Sequence, residues 1–492
     1  MKKRIFIIIV TLGILLSVGI SLAWAKPLYD SPLASNFGTI YPDGTDSKIA
    51  ADSATFYLKT IGYNANTLTE INNNKYIAED LIREDAIFSF TGHAAPGVLV
   101  FHDGSEKSYF FANSDLKKLS QLKDLLFSVY IGCNTAQTDG TYGSLLETSK
   151  NEGVDSALGF NDSIYIEHTN YWAERFWYWA TKIGNTLREA TSKACEDVRI
   201  QFGDYGNTDS FKFDGDSYDP ALIEINPARY GDWKYKNKSL ANLIHNNTES
   251  YSNIPKSLLD KAIKCVREFT SKPDLNVEQF RIEKSLTNKD YIILITDGIE
   301  YKVDNSIQKV VSIYSKKAES KNTKEIKFNI DEAYDIAQNF VFDKIKNFSN
   351  MKMELVKKEL QDHGCYAEYL FEWRSMSSPS FVSVTVGPTT GEIVSYNFWL
   401  DETKIAPYSK IKRDKAIEIA KNLVDFKVNK VKKSDLQVWY DNESNPVLLW
   451  IIELEGEPKE IELEGKNIGI SQGALIVIDA NTSEVIRVYK TL

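Results

Sequence analysis

The chain has 492 residues and a formal net charge of −10, with 43% hydrophobic and 26% charged residues. These fractions are ordinary for globular proteins, and the length predicts roughly two to four domains. The acidic balance favours solubility and argues against a nucleic-acid-binding surface, so no nucleic-acid partner is expected.

The N-terminus has the pattern of a secretory signal peptide. A basic start, Met1–Arg4, precedes an apolar run over residues 5–22 and the small-x-small triplet Ala23–Ala25. Cleavage before Lys26 is predicted, although the apolar run is long enough to remain as an uncleaved membrane anchor. Loss of two lysines and one arginine, with no acid, would take the charge from −10 to −13. A secreted or cell-surface location is predicted.

Residues 47–233 alternate between helical and strand-like patterns. Helical periodicity covers 47–61, 75–83, 143–150, 168–183 and 186–200. Short apolar runs at 86–90, 125–131 and 156–160 predict buried strands, and 99–101 with 108–111 predict a hairpin. This alternation predicts an α/β domain with a mostly parallel sheet and helices on both faces.

His93 and Cys133 each follow one of the predicted buried strands. Parallel sheets place their ligand sites at the carboxyl ends of the strands, so both residues are expected on one rim. A nearby imidazole can assist deprotonation of a thiol or protonate a leaving amine. The backbone N–H groups of Cys133 and Ala94 are the predicted oxyanion donors. The alternative is a core cysteine and a histidine hydrogen-bonded within a turn.

The cysteines do not form a disulfide or zinc pattern. Cys133, Cys195, Cys265 and Cys365 are far apart in the sequence and have no Cys-x-x-Cys spacing. Cys195 and Cys265 lie in helical patterns and are predicted to pack as small apolar residues.

The composition changes after the α/β region. A polar segment rich in Lys, Asn and Ser predicts a linker over 236–255. Three segments with apolar residues at helical spacing follow, and each is followed in turn by strand-like segments. This pattern predicts three small α+β modules at 256–320, 321–405 and 406–492. The spacing of these units is too long and irregular for a solenoid.

The segments "SFTGHAAPGVLVF" and "SVYIGCNTA" carry a resemblance to a known family. They resemble the caspase-like cysteine peptidases of clan CD, which include gingipains and clostripains, and are most similar to bacterial CHAT-type domains. The resemblance implies a caspase-like three-layer domain over 26–235. It also implies a cysteine endopeptidase that needs no cofactor, with Cys133 as nucleophile and His93 as general acid/base. Ala94 departs from the glycine usual in the family.

The substrate pocket is harder to predict. Many members of this family cut after a charged residue, so Asp232, Asp139 and Glu167 are candidate pocket acids for an Arg or Lys side chain. The acidic loop at 203–220 leaves open a structural calcium ion, but it lacks the residue spacing of an EF-hand.

The C-terminal half resembles PepSY-type repeats, loosely those of the YcdB/YcdC group. The segments "VTVGPTTGEIVSYN" and "IVIDANTSEVIRVY" carry this resemblance. It implies autoinhibition of the peptidase by its own C-terminal half, or binding at a cell wall or membrane surface. Autoprocessing near 234–255 is a further hypothesis. The rival hypothesis for the whole chain is an inactive caspase-like binding protein at the cell surface.

Overall fold

The structure is a computed structural model. It describes residues 32–492 except 106, 121, 183–184, 216–221, 223–253, 285–289, 402, 406–407, 442 and 464. The predicted signal segment 1–25, most of the predicted linker 236–255 and the candidate pocket acid Asp232 therefore lie outside the described residues. Among the helices that are described, none is long and apolar enough to cross a membrane.

The first part of the chain alternates strands and helices. Its strands are β1 (Leu33–Phe37), β2 (Asn64–Leu68), β3 (Ile87–Thr91), β4 (Ala94–Ala95), β5 (Val98–His102), β6 (Ser108–Ala112), β7 (Phe127–Ile131), β8 (Ser156–Phe160) and β9 (Phe211–Gly215). Its helices are α1 (Lys48–Thr60), α2 (Lys75–Leu81), α3 (Asn113–Leu119), α4 (Leu145–Asn151), α5 (Ile166–Ala180) and α6 (Leu187–Phe202). The predicted helices and strands of this region are each present, within a few residues of their expected bounds.

The central sheet has six strands in the order β2-β1-β3-β7-β8-β9. The pairs from β2 to β8 are parallel, and β9 is antiparallel to β8. All five residues of β3, β7 and β8 are buried, as expected for strands covered on both faces. The predicted α/β class with a mostly parallel sheet is confirmed, and the domain has three layers, with helices on both faces of the sheet.

Each face of this sheet has its own apolar core. On one face, α1, α5 and α6 pack on Ile87, Phe127 and Ile131 through one cluster that also contains Cys133. On the other face, α2, α3 and α4 pack on Phe88 through a second cluster. Side chains alternate between faces along a strand, so odd-numbered positions of β7 face the aromatic helix α5.

The C-terminal half is dominated by antiparallel strands. These are β10 (Gln279–Lys284), β11 (Asp290–Thr296), β12 (Ile299–Asp304), β13 (Lys309–Ser315), β14 (Met353–Asp362), β15 (Ala367–Ser375), β16 (Phe381–Val386), β17 (Ile393–Trp399), β18 (Val428–Tyr440), β19 (Pro446–Gly456), β20 (Lys459–Leu463), β21 (Lys466–Ile470), β22 (Gly473–Asp479) and β23 (Val485–Lys490). The helices are α7 (Lys256–Thr270), α8 (Lys316–Ser320), α9 (Ile330–Lys344) and α10 (Arg413–Lys421).

The first two C-terminal units share one sheet. Their eight strands run in the order β10-β11-β12-β13-β17-β16-β15-β14, joined where β13 pairs with β17. Helices α7 and α9 bury small residues such as Ala262, Ala333 and Ala337 against this sheet. The residues predicted as separate units at 256–320 and 321–405 are therefore continuous in hydrogen bonding.

The third unit packs directly on the α/β domain. Helix α10 packs on one face of its sheet, which has the strand order β18-β19-β22-β23. The other face contributes Trp439, Leu475 and Tyr489 to a cluster with Tyr165 of the α/β domain. The hairpin β20–β21 places Ile468 beside Ala95 and Val98 of the small sheet β4-β5-β6.

Candidate active site

The loops that follow β3 and β7 lie side by side. The two strands are paired in register, with Thr91 opposite Ile131, and the Gly92 N–H donates to the Ile131 carbonyl at 3.0 Å. His93 and Cys133 each lie two residues beyond this last pair. The structure therefore brings the predicted nucleophile and the predicted acid/base to one rim of the sheet.

The glycines before these two residues allow the close approach. A Cβ on Gly132 would lie 2.6 Å from the Ala94 Cβ and 2.7 Å from the Gly92 carbonyl oxygen. A Cβ on Gly92 would lie 1.9 Å from the Tyr41 hydroxyl. A side chain at position 132 would force the two loops apart, and one at position 92 would displace Tyr41.

Thr135 holds the loop that carries Cys133. Its hydroxyl donates to the Tyr130 carbonyl at 2.7 Å and accepts the Phe160 N–H at 3.0 Å. This side chain therefore links the end of β7 to the end of β8. The Cys-x-Thr motif has a local structural reason, because the threonine positions the backbone on both sides of the cysteine.

Asp43 contacts the histidine. Its carboxylate lies 2.9 Å from His93 Nε2, while His93 Nδ1 is buried with no hydrogen-bond partner among the described residues. Partial burial opposes ionisation of Asp43, but the hydrogen bond and the charge of His93 outweigh it and lower the pKa of the carboxyl. A carboxylate on Nε2 orients the ring and leaves Nδ1 as the nitrogen free to exchange a proton with a substrate.

The Tyr41 side chain forms a hydrogen bond with the backbone of His93. Its hydroxyl accepts the His93 N–H at 3.2 Å and donates to the Val100 carbonyl at 2.8 Å, and burial raises its pKa. The Tyr41 hydroxyl thus takes the place of a direct hydrogen bond from the His93 N–H to the Val100 carbonyl of β5. The Val100 N–H still donates to the His93 carbonyl, so the next pair, Ala94 with Leu99, is of the non-hydrogen-bonded kind. The Ala94 N–H therefore points away from β5, as an oxyanion donor must.

Cys133 is fully buried, and its thiol is covered by the C-terminal part of the chain. Its Sγ lies 3.0 Å from the Leu492 carbonyl oxygen and 3.8 Å from the Ile164 carbonyl oxygen. Burial raises the pKa of the thiol to about 12, and the charge of nearby Asp162 adds to this. In this arrangement the cysteine is a protonated thiol.

The predicted pocket acids do not converge on the thiol. The Asp139 carboxylate accepts the Thr141 and Tyr142 N–H groups of its own turn, and Glu167 is exposed on the first turn of α5. Asp162, at the end of β8, lies closer to the thiol and is paired at 2.7 Å with Lys432 of the third unit. Sequence reasoning missed Asp162, and its position just beyond a third buried strand was the available signal.

Among the described residues, no group of three or more histidine, cysteine, aspartate or glutamate side chains could hold a metal ion. In the acidic loop, Asp204, Asp209 and Asp214 each pair with a lysine from elsewhere in the chain. None of the four cysteines forms a disulfide; Cys133 and Cys195 are buried, whereas Cys265 and Cys365 are partly exposed.

The fold and the site together define an α/β domain with a histidine and a cysteine just beyond two adjacent parallel strands. Residues 31–217 match the family model of Peptidase family C25. The match supports a cysteine peptidase domain, a hydrolase whose substrate is a peptide or protein. A search of curated proteins found no match to the chain.

Several solved structures are similar to parts of the chain. The C-terminal domain of Bacillus megaterium YpeB is 14% identical, with a TM-score of 0.29, over 47% of this chain and 97% of that one. The Arg-specific cysteine proteinase gingipain R is 14% identical, with a TM-score of 0.32, over 39% of this chain and 46% of that one. A complex of Porphyromonas gingivalis RgpB pro- and mature domains gives 12% identity and a TM-score of 0.33. The chain spans about half the length of the two gingipain chains that it matches.

Proposed function

We propose that the protein is a secreted cysteine endopeptidase that cleaves peptide bonds with Cys133 and His93. The observation that carries this proposal is the placement of both residues two positions beyond paired parallel strands, with His93 held by Asp43. The match of residues 31–217 to a cysteine peptidase family supports it. Secretion is supported by the N-terminal sequence pattern alone.

The reaction follows from these positions. His93 takes the proton of the Cys133 thiol, the thiolate attacks the substrate carbonyl carbon, and the oxyanion is stabilised by the N–H groups of Ala94 and Cys133. The carbon–nitrogen bond breaks, the proton on His93 passes to the leaving amine, and a thioester remains. Water then attacks the thioester and gives a proton to His93, the carbon–sulfur bond breaks to release a carboxylic acid, and His93 returns the proton to the sulfur. No cofactor takes part in this proposal.

We also propose that the C-terminal half of the chain inhibits this activity. The third unit covers the rim: Asn134 Nδ2 donates to Ser471 Oγ at 2.7 Å, and Leu492 lies against the thiol. Burial raises the thiol pKa, so turnover requires this cover to move away. This arrangement is consistent with PepSY-like modules that inhibit the peptidase domain of their own chain. Binding to a cell wall or membrane surface is a second role proposed for these modules.

The test is cleavage of a mixed peptide library, in reducing buffer and with product sequencing, by the chain shortened by residues 491–492, which removes Leu492 from the thiol. Cys133→Ala is expected to reduce cleavage by at least about 10³-fold, as for other covalent nucleophiles. Cys195→Ala is the matched control, because Cys195 is buried in the same domain with its Sγ on the Thr208 carbonyl, away from the rim. Equal cleavage by the shortened chain with and without Cys133→Ala would contradict the proposal.

The burial of Cys133 favours one alternative, an inactive caspase-like binding protein at the cell surface. This alternative predicts no cleavage, even from a chain without residues 491–492. It also predicts that Cys133 reacts slowly with iodoacetamide in that shortened chain. Cleavage that depends on Cys133 excludes it.

A further inference from the structure

We propose that Leu492 occupies the subsite for the residue on the amino side of the cleaved bond, and that the peptidase therefore cleaves after aliphatic residues. This inference rests on the proposed function and specifies its substrate. The evidence consists of three independent contacts of the segment that follows β23: its backbone pairing, its carbonyl group and its side chain.

The backbone of this segment binds as an added strand. The Leu492 N–H donates to the Ile164 carbonyl at 2.7 Å, and Thr491 forms an antiparallel bridge with Tyr165. Ile164 and Tyr165 lie just before α5, beside the rim. Extended peptides are commonly bound in this way, because backbone hydrogen bonds supply affinity for any sequence.

The carbonyl of Leu492 lies against the proposed nucleophile. Its oxygen is 3.0 Å from Cys133 Sγ, within hydrogen-bond distance of the thiol. A peptide positioned for attack brings the carbonyl group of the residue on the amino side of its cleaved bond next to the nucleophile. The segment therefore lies as the acyl side of a bound peptide would, with Leu492 as the residue nearest the thiol.

The side chain of Leu492 identifies the preferred substrate. It is fully buried in the apolar cluster that includes Ile164, Trp172 and Cys133 itself. Burying such a side chain is favourable, whereas an Arg or Lys side chain would need a buried opposite charge. Asp162 is the nearest candidate for that charge, and Lys432 already pairs with it at 2.7 Å. An aliphatic residue is therefore favoured over a basic one.

The first experiment measures the rate at which iodoacetamide alkylates Cys133, resolved from the other cysteines by peptide mass spectrometry. Leu492→Gly is expected to raise this rate at least about tenfold, because a covered thiol reacts only through its open fraction. Leu492→Met, which keeps an apolar side chain, and Lys490→Ala, at an exposed position on the same strand, are expected to leave it near that of the unaltered chain.

A peptide control guards against misfolding of the variant. The peptide Val-Tyr-Lys-Thr-Leu, which matches residues 488–492, is expected to slow alkylation of Leu492→Gly again, whereas the same peptide ending in Arg is not. A disrupted active site would bind neither peptide. Equal alkylation rates in Leu492→Gly and the unaltered chain would overturn the proposed occupancy.

The second experiment locates the cut sites made by Leu492→Gly in the peptide library. Cuts after Leu, Ile, Val or Met are expected. Cuts confined to sites after Arg or Lys would overturn the assignment of Leu492 while leaving the peptidase intact. A tenfold rise in alkylation without any cleavage would instead overturn the proposed function and leave the binding of Leu492 standing.

Discussion

At the scale of single residues, the pair of His93 with Asp43 decides how the imidazole is presented. The ring is bonded through Nε2, and its buried Nδ1 has no partner among the described residues. Asp43 touches neither the thiol nor the expected substrate, so it acts as a positioning residue. Its contribution is to select the tautomer and the orientation of the ring.

Asp43→Asn is therefore expected to lower kcat/KM about 10- to 100-fold, a part of the total effect of acid–base catalysis. Asp43→Glu is expected to recover much of the loss, since a carboxylate is restored. Steady-state kinetics on the best library peptide measures both. Asp46→Asn is the control, because the Asp46 carboxylate caps its own turn by accepting the Lys48 N–H. An unchanged kcat/KM in Asp43→Asn would show that the ion pair is incidental.

The second prediction at this scale concerns Gly132. Gly132→Ala introduces a Cβ within 2.7 Å of two atoms of the His93 loop, so the loop or Cys133 must move. Displacement by about 1 Å can reduce a rate 10²-fold, and overpacking costs about 1–3 kcal/mol of unfolding free energy. Activity and thermal melting test this. Gly140→Ala in the same loop has no atom within 4 Å of its added Cβ, and is expected to change neither. Wild-type activity in Gly132→Ala would refute the tight contact.

At the scale of elements, α6 connects the peptidase domain to the C-terminal sheets through one buried ion pair. Arg199 Nη2 lies 3.2 Å from the Glu372 carboxylate of β15, and both side chains are inaccessible. The guanidinium also lies over the rings of Phe381 and Trp439. Burial opposes ionisation of Glu372, but Arg199 and Arg374 outweigh it and lower the pKa of this carboxyl.

Arg199→Ala is expected to lower the free energy of unfolding by about 3 kcal/mol, because it leaves a buried carboxylate less well compensated. The double variant Arg199→Met with Glu372→Leu is expected to regain most of this loss. Urea denaturation measures both. Lys264→Ala, which removes an exposed pair with Glu268, is expected to change stability by less than about 0.5 kcal/mol. A similarly small effect of Arg199→Ala would contradict the proposed linkage.

At the scale of the whole molecule, two histidines lie where the C-terminal half meets the peptidase domain. His168 is stacked on Phe202 and contacts Tyr489 of β23, with ring centroids 4.2 and 4.5 Å away. His363 is stacked on Phe211 of β9 at 4.1 Å. Burial lowers the pKa of each from 6.5 to about 4. The charged groups Asp204, Arg487 and Lys433 also act on His168, with a smaller effect than burial.

Stability is therefore expected to fall as the pH drops from about 6.5 to about 4. In this window the unfolded chain binds more protons than the folded chain, so acid favours unfolding. The slope of unfolding free energy against pH measures how many more protons the unfolded chain binds than the folded chain. His168→Phe is expected to reduce this number by up to about one, since the aromatic packing is kept without a titrating group. Urea titrations at several pH values measure this. An identical slope in the variant would show that His168 does not contribute.

The sequence was sufficient for much of the fold because its patterns are local. Apolar runs of about five residues predicted β3, β7 and β8, and their alternation with helices predicted the parallel sheet. The candidate pocket acids show the limit of this reasoning. Asp139 and Glu167 were candidates for the charge opposite a basic substrate residue, with solvated loop charges as the alternative; in the structure a turn uses the Asp139 carboxylate and Glu167 is exposed. Which charges converge depends on how the loops fold, and periodicity does not contain that information.

The sequence by itself determined that His93 and Cys133 each follow a buried strand, because strand ends arise from local hydrophobic patterns. Only the tertiary structure decided that the two strands are neighbours and what contacts the two residues. Asp43 reaches His93 across 50 residues of sequence, and Leu492 reaches Cys133 across 359. The physical reason is that such contacts depend on packing between distant elements, for which one sequence carries no periodic signal. The state of the thiol, buried and covered by its own chain, is therefore a property of the folded molecule.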